Sequence, residues 1–374
     1  MNIAVDIRSL MSEQRTGVGG YTYHLLENLF KLKSDHRFFL FYNSYHNVDI
    51  PSWSYENVEI ISFNYPNKLL NLSVLLFGKP HLDKLITNKA DIDNLDIFFA
   101  PNLNFTPLSE DVQFILTIHD LSFKYFPEFL TTKRKLGYKA RRPEYQLRQA
   151  DIILTPSENT KRDVNRTFNV QQQKIKKIYP AIDESKQQVT QRKVKEKYSL
   201  PSKFILFLGS LEPRKNVEGL LEGYLEADID QEYKLIIAGA SGWKNQKTKE
   251  KIEDIDNVEY IGYIEETEKP VLLGLADLFV YSSFYEGFGF PVLEAMAGST
   301  PVITSERSSL PEVCESAAYL VDPRIKSEIS KGMELILNNQ QIYDSYTEAG
   351  TEQVEKFGWK RSAQKFLEVC SQVV

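Results

Sequence analysis

Short, almost uninterrupted apolar runs alternate with helical patterns along this chain, and the alternation halts once and restarts. The first series reads as strands at Asn2–Asp6, Arg37–Tyr42, Val58–Phe63, Asp96–Ala100, Gln113–Ile118 and Asp151–Thr155. The second reads as strands at Phe204–Leu208, Tyr233–Ala238, Val258–Ile261, Leu278–Tyr281 and Pro301–Thr304. Runs without polar alternation suit strands buried on both faces, as in a parallel sheet covered by helices. Helical stripes support this: Leu25, Leu26, Leu29 and Phe30 repeat at helix spacing within Tyr21–Lys31, after a loop ending Gly17-Val18-Gly19-Gly20. Asn216–Ala227, Glu266–Leu275, a segment after Pro291, Lys326–Leu337, Gln341–Phe357 and Trp359–Val369 read the same way. Between the two series lies a polar seam, Ala181–Ser202, with Lys186, Arg192, Lys193, Lys195 and Lys197. The expected fold class is α/β, two doubly wound Rossmann-like domains facing each other across a cleft. The expected boundaries are 1–182, 183–355, and a terminal helix within 356–374 that packs back on the first domain.

With 374 residues, 42% of them hydrophobic, the chain can bury substantial cores, so disorder is excluded as its overall description. The densest apolar stretch, Leu69–Phe77, is too short to span a bilayer. It reads first as a core helix and second as an apolar contact. No secretory leader is expected from Met1–Asp6, and two cysteines suit a reducing compartment. The expected location is cytoplasmic, with a peripheral contact at the inner face of the membrane. The net charge of −6 is uneven: residues 1–182 carry 23 basic against 19 acidic side chains, the remainder 22 against 32. Seven basic residues and one acid fall between Thr132 and Arg148, including Lys139, Arg141 and Arg142. This segment reads as a local electrostatic device suited to anionic lipid or a phosphorylated substrate, or equally as a solvated helix face. Asp-x-Asp triplets at Asp91/Asp93, Asp228/Asp230 and Asp254/Asp256 read as turn chemistry, so no metal is expected.

Two segments carry the chemistry. Tyr285-Glu286-Gly287-Phe288-Gly289-Phe290-Pro291 leaves a strand, turns through two glycines and opens a helix with a proline, and Glu294 follows within that helix. A glycine turn feeding a helix N-terminus offers amide donors and a positive dipole end to phosphate. The same residues are compatible with a plain turn whose glutamate complements the dipole. Gly209-Ser210-Leu211-Glu212-Pro213-Arg214-Lys215-Asn216 also follows a strand and sets two cations before a helix, an arrangement suited to a diphosphate.

Glu286 and Glu294, with seven residues between them that include Gly-Phe-Gly-Phe-Pro, resemble the E-x7-E signature of family 4 glycosyltransferases. The 209–216 segment is similar to that family's phosphate loop. Ser308-Ser309-Leu310-Pro311-Glu312-Val313, Thr117-Ile118-His119-Asp120-Leu121 and Pro156-Ser157-Glu158-Asn159-Thr160 are similar to further family segments. The finer resemblance is to bacterial mannosyltransferases of polysaccharide assembly. The resemblance implies a metal-independent, cofactor-free, retaining enzyme of GT-B fold. It would move a hexose, mannose above others, from a nucleotide diphosphate sugar to a glycan or lipid-linked acceptor. GDP-mannose is the favoured donor, with a UDP-sugar as the other choice, and no nucleic acid is involved. It further implies Glu286 and His119 at the transferred sugar, and Lys215 helped by Arg214 at the diphosphate. Glu294 would take the ribose, Tyr263 would lie by the base, and Phe288, Gly289 and Phe290 would offer backbone amides. Gly17 and Gly19 would approach the diphosphate. Ser210 stands where many members carry arginine. A sugar-nucleotide epimerase and a non-catalytic nucleotide-sugar binder are the competing readings.

Overall fold

The computed structural model describes residues 1–12, 17–32, 34–182 and 189–374. It divides into two compact units: Met1–Leu121, Lys133–Ala181 and Gly358–Val374 in the first, Ser122–Thr132 and Ile182–Phe357 in the second.

The first unit is built on seven parallel strands: β1 (Asn2–Asp6), β2 (Arg37–Asn43), β3 (Val58–Phe63), β4 (Ile97–Ala100), β5 (Gln113–Thr117), β6 (Ile152–Thr155) and β7 (Ile175–Lys177). Their order is β3-β2-β1-β4-β5-β6-β7. The chain winds outward from β1 in one direction, then returns to place β4 on the other side. That reversal is the topological switch point at which doubly wound sheets bind ligands. Apolar residues on both faces fill its core, with Phe38, Phe39, Phe41, Phe98 and Phe99 almost wholly buried. The helix Trp359–Cys370 belongs to this unit and packs on the helix Gly17–Lys31, where Trp359 stacks on His24 and meets the edge of Tyr21.

The second unit carries six parallel strands: β8 (Phe204–Leu208), β9 (Lys234–Ala238), β10 (Val258–Gly262), β11 (Leu278–Tyr281), β12 (Val302–Ser305) and β13 (Tyr319–Val321). The order β10-β9-β8-β11-β12-β13 sets its switch point between β8 and β11. These two strands pair directly, Leu278 with Ile205 and Phe279 with Leu206. The two loops singled out in the sequence therefore leave the sheet side by side.

Four local expectations are corrected. The residues Gly17–Gly20 form the first turn of a helix, Gly17–Lys31, rather than the end of a loop. The buried stripe Leu25, Leu26, Leu29 and Phe30 extends the helix back over glycines of low helical propensity. The seam contains a helix, Gln191–Lys197, anchored by buried Val194; residues 183–188, Lys186 among them, lie outside the described residues. Strands β7 and β13, three residues each, escape a periodicity reading because they span barely one alternation. Finally, the helix Asn67–Phe77 is not a core helix: Leu70 is buried, but Leu69, Leu72, Leu75, Leu76 and Phe77 are 43% to 73% exposed.

Candidate active site

The loop after β8 closes with a short 3-10 turn, Pro213–Lys215, and Asn216 ends it in a left-handed conformation, φ 56°. Asparagine tolerates that conformation, and its side chain donates to the Pro323 carbonyl at 2.6 Å. The loop after β11 must reverse into the helix Phe290–Ala297, and Gly289 supplies φ 110° for it. A Cβ at this position would stand 2.6 Å from Leu310 Cδ2, so glycine is needed for conformation and for space. The two loops are laced together: the Phe284 N–H donates to the Arg214 carbonyl at 2.9 Å, and Ser283 Oγ lies 3.0 Å from the same oxygen.

Glu286 is the centre of this lacing. Its Oε1 lies 2.6 Å from Lys215 Nζ and accepts hydrogen bonds from Ser283 Oγ at 2.7 Å and Tyr281 Oη at 3.0 Å. Its Oε2 lies 2.8 Å from Arg214 Nη1. Arg214 reaches Glu212 through Nη2 at 2.7 Å and donates to the Tyr285 carbonyl through Nη1. Lys215 Nζ also donates to Tyr281 Oη. Below the carboxylate, Ser308 Oγ accepts from the Glu286 N–H at 2.9 Å, while Ser309 Oγ lies at hydrogen-bond distance from the Glu286 and Phe288 carbonyls.

The electrostatics follow from burial. Burial alone would raise the Glu286 carboxyl, but Arg214, Lys215 and the hydrogen bonds outweigh it and bring the pKa down to about 2. Burial, with Arg214 beside it, lowers the Lys215 ammonium despite the pull of Glu286. Glu286 is thus a fixed carboxylate whose Oε1 is saturated and whose Oε2 keeps a further lone-pair direction for a hydroxyl.

Glu294 lies about one turn into the helix Phe290–Ala297, half-buried, in a different charged setting. Burial raises its carboxyl, Lys269 opposes the rise, and Glu266 adds to it. Lys269 is in turn held by Glu266 at 2.6 Å. Tyr263 follows Gly262 at the end of β10, half-buried. Ser210 is half-buried in the loop after β8, and Phe288 is buried edge-on against Phe290 and Phe357.

The structure therefore brings Glu286, Arg214 and Lys215 into one network. Ser210, Tyr263, Phe288 and Gly289 stand on loops that follow strands of the same sheet, and Phe290 and Glu294 on the helix that one of those loops enters. Gly17, Gly19, His119, Lys139, Arg141 and Arg142 belong to the first unit. Gly17 and Gly19 occupy the first turn of their helix, where a Cβ at Gly17 would meet nothing within 4 Å. His119 follows β5; its Nε2 lies 2.8 Å from the Pro101 carbonyl and its ring meets Tyr21 edge-on at 4.8 Å. A carbonyl only accepts, so Nε2 carries the proton and Nδ1 is the acceptor. Burial lowers the imidazole pKa, with the Pro101 bond and Asp120 pulling the other way, and this favours the neutral ring. Lys139 and Arg142 are exposed, and Arg141 is half-buried. Sequence reasoning missed Tyr281, Ser283, Ser308 and Ser309 as partners of Glu286. The available signals were the Ser308-Ser309 segment and the place of Ser283 in the loop that leads to Glu286.

Two doubly wound parallel sheets, each with its switch point, define the fold class: the GT-B architecture. Solved structures share this fold. A sucrose-phosphate synthase from Thermosynechococcus elongatus superposes with a TM-score of 0.77 over 100% of this chain and 98% of its own, at 18% identity. Anabaena HepE, solved in complex with UDP and glucose, gives 0.71 over 100% of both chains at 16% identity. The family described as Glycosyltransferase Family 4 matches residues 15–186, and that described as Glycosyl transferases group 1 matches residues 189–353. Among curated relatives, the O-antigen chain mannosyltransferase B of Escherichia coli is 32% identical over 71% of this chain and 71% of its own length. The serotype-specific mannosyltransferase WbdA of the same species is 29% identical over 60% of this chain, but only 29% of WbdA is covered. This chain belongs to the family 4 glycosyltransferases and is a hexose-transferring enzyme.

Proposed function

We propose that the chain is a retaining mannosyltransferase that takes mannose from a nucleotide diphosphate donor, GDP-mannose before any UDP-sugar, to a glycan or lipid-linked acceptor. The observation that carries this reading is the charged triad of Glu286, Lys215 and Arg214 at the switch point of the second sheet. The mannosyl preference is supported by the mannosyltransferase relatives, and the nucleotide-sugar class by HepE.

In this reading the second unit holds the donor and the first serves the acceptor. Lys215 and Arg214 balance the charge that builds on the departing diphosphate, a task that requires no metal ion. Glu286 accepts a hydroxyl of the transferred sugar through Oε2. Glu294 accepts from the ribose, Tyr263 lies by the base, and Ser210 and the backbone of Phe288, Gly289 and Phe290 serve the phosphates or the sugar. Gly17 and Gly19 let a helix N-terminus approach the diphosphate. His119 offers Nδ1 as a neutral acceptor to the sugar. For the retention that the family implies, the acceptor hydroxyl attacks the anomeric carbon on the donor's own face as the bond to the diphosphate breaks, and its proton passes to the departing phosphate oxygen.

A panel of nucleotide sugars, scored for slow hydrolysis and for a rise in Tm, tests the reading. GDP-mannose is expected to give both effects. A panel in which no nucleotide sugar gives either effect sinks it.

The acceptor side extends the proposal to a peripheral contact with anionic lipid. No helix of the described residues is long and apolar enough to cross a membrane. The helix Asn67–Phe77, however, exposes four leucines and a phenylalanine between Lys68 and Lys79. The basic helix Thr132–Arg141, with exposed Leu136 and Lys139, and the helix Pro143–Gln149 that follows it, with exposed Tyr145 and with Arg142 at its start, lie in the β5-to-β6 crossover. Both that crossover and the one from β3 to β4 run across the sheet in the same direction. The right-handed rule sets the sheet-packed helices of these crossovers, Leu82–Ala90 and Pro143–Gln149, on one face. Apolar side chains rimmed by cations are the signature of a helix lying in a lipid interface. Sedimentation with anionic vesicles should be strong at low salt and weak at high salt; equal recovery with and without vesicles refutes the contact.

A further inference from the structure

The residues that follow His119 do not stay with the sheet that precedes them. Ser122–Thr132 sits in sequence between β5 and β6 but belongs to the second unit. It folds as a helical turn, Ser122–Tyr125, and a 3-10 turn, Pro127–Phe129. Its aromatic side chains grip the turn that leads to Glu286. Tyr125 and Phe126 pack on the ring of Tyr285, at 5.8 and 5.7 Å between centroids, and Phe129 packs on Phe284 at 6.0 Å. Phe126 and Phe129 stack on each other at 5.4 Å, which makes the grip one unit.

The other side of the segment is fastened to the loop after β9. Trp243 Nε1 donates to the Phe129 carbonyl at 2.7 Å, and Lys244 Nζ donates to the Glu128 carbonyl. That loop is pressed against the loop after β8: a Cβ on Gly242 would stand 2.4 Å from the Leu211 carbonyl oxygen. The segment thus bears on both loops that hold Arg214. Tyr285, whose ring it grips, presents the carbonyl that receives Arg214 Nη1, and the same Nη1 holds Glu286 Oε2. Nothing in the proposed chemistry uses these aromatic residues.

We infer that Ser122–Thr132 is a positioning strap for Glu286, with Phe126 and Trp243 as its positioning residues. The aim of the sugar-side carboxylate is then set by a chain segment that starts three residues after His119. The inference rests on the reading of Glu286 as the residue that meets the transferred sugar.

The test uses the full-length enzyme with GDP-mannose hydrolysis as the readout, or UDP-glucose if the panel selects it, alongside Tm and the Kd for the free nucleoside diphosphate. Phe126→Ala removes the ring contact, Phe126→Leu keeps much of the packing, and Trp243→Phe keeps the ring but loses the N–H donor. Because rates depend steeply on placement at the reacting centre, Phe126→Ala should lower kcat by about tenfold or more, with diphosphate Kd within about twofold. Phe126→Leu should recover most of that loss, and Trp243→Phe should fall between them. A kcat for Phe126→Ala equal to wild type overturns the inference, as does a loss matched by an equal loss of diphosphate affinity and Tm. Glu286→Gln run in parallel separates the two levels. If it is inactive while Phe126→Ala is fully active, the strap alone fails; if it is fully active, the reading of Glu286 fails and the strap with it.

Discussion

Glu286 and Glu294 are the same residue type on one strand-to-helix connection, yet their carboxyl groups are driven in opposite directions. Glu286 has two cations and two hydroxyls around it, and its pKa falls to about 2. Glu294 has the Lys269 ammonium in its field, but that ammonium is already engaged by Glu266, and burial prevails and raises it. The difference teaches that the spacing of the two glutamates says little about their charge. What decides it is how many donors the neighbouring loops aim at each oxygen. One carboxylate is built into the fold as a counter-ion, and at the other burial outweighs the ammonium beside it.

The largest expected effect breaks the first half of that comparison. Glu286→Gln should lower transfer by ~10²–10³-fold, the scale seen when one charge-aligned group is removed from a transition state. It should also destabilise the second unit by about 3 kcal/mol, because Lys215 loses its buried counter-charge. Wild-type turnover at saturating donor would remove Glu286 from the site.

A pH series sharpens the contrast through its signs. The Glu286 pKa is depressed on folding, so its contribution is complete above the ordinary carboxylate value and is lost as pH falls from about 4.5 toward about 2. The Glu294 pKa is raised, so its contribution is present below the ordinary value and is lost as pH rises through the folded value. Urea unfolding of Glu286→Gln and Glu294→Gln against wild type should therefore show stability differences that move oppositely with pH. Parallel curves would mean that the two environments are alike.

The smallest effect belongs to Glu294→Gln alone. If its carboxylate accepts from the ribose, nucleoside diphosphate affinity should fall about tenfold, near 1.4 kcal/mol, with kcat within about twofold. A change in kcat with unaltered affinity would move Glu294 toward the reacting centre.

Much of this was legible in the residues. The apolar runs located most strands to within a residue or two, because a strand buried on both faces leaves a continuous signature. The two loops could be singled out because glycine, proline and adjacent cations at strand ends carry local chemistry. The orientation of Lys215 and Arg214 toward Glu286 was not legible, nor were the supports from Tyr281, Ser283, Ser308 and Ser309. Such partners meet across separate loops, and no periodicity marks them. The helix Asn67–Phe77 misled for a related reason: leucines look alike in sequence whether a neighbour covers them or not.

The sequence by itself determined the strand-and-helix alternation, the family, and the residue types available for the chemistry, since these depend on local patterning. The tertiary structure alone decided that β8 and β11 are neighbours, that the Glu286 carboxyl is driven down while that of Glu294 is driven up, and that the segment after His119 joins the second unit. Adjacency and desolvation are sums over residues distant along the chain, so they come into being only when the sheet is assembled.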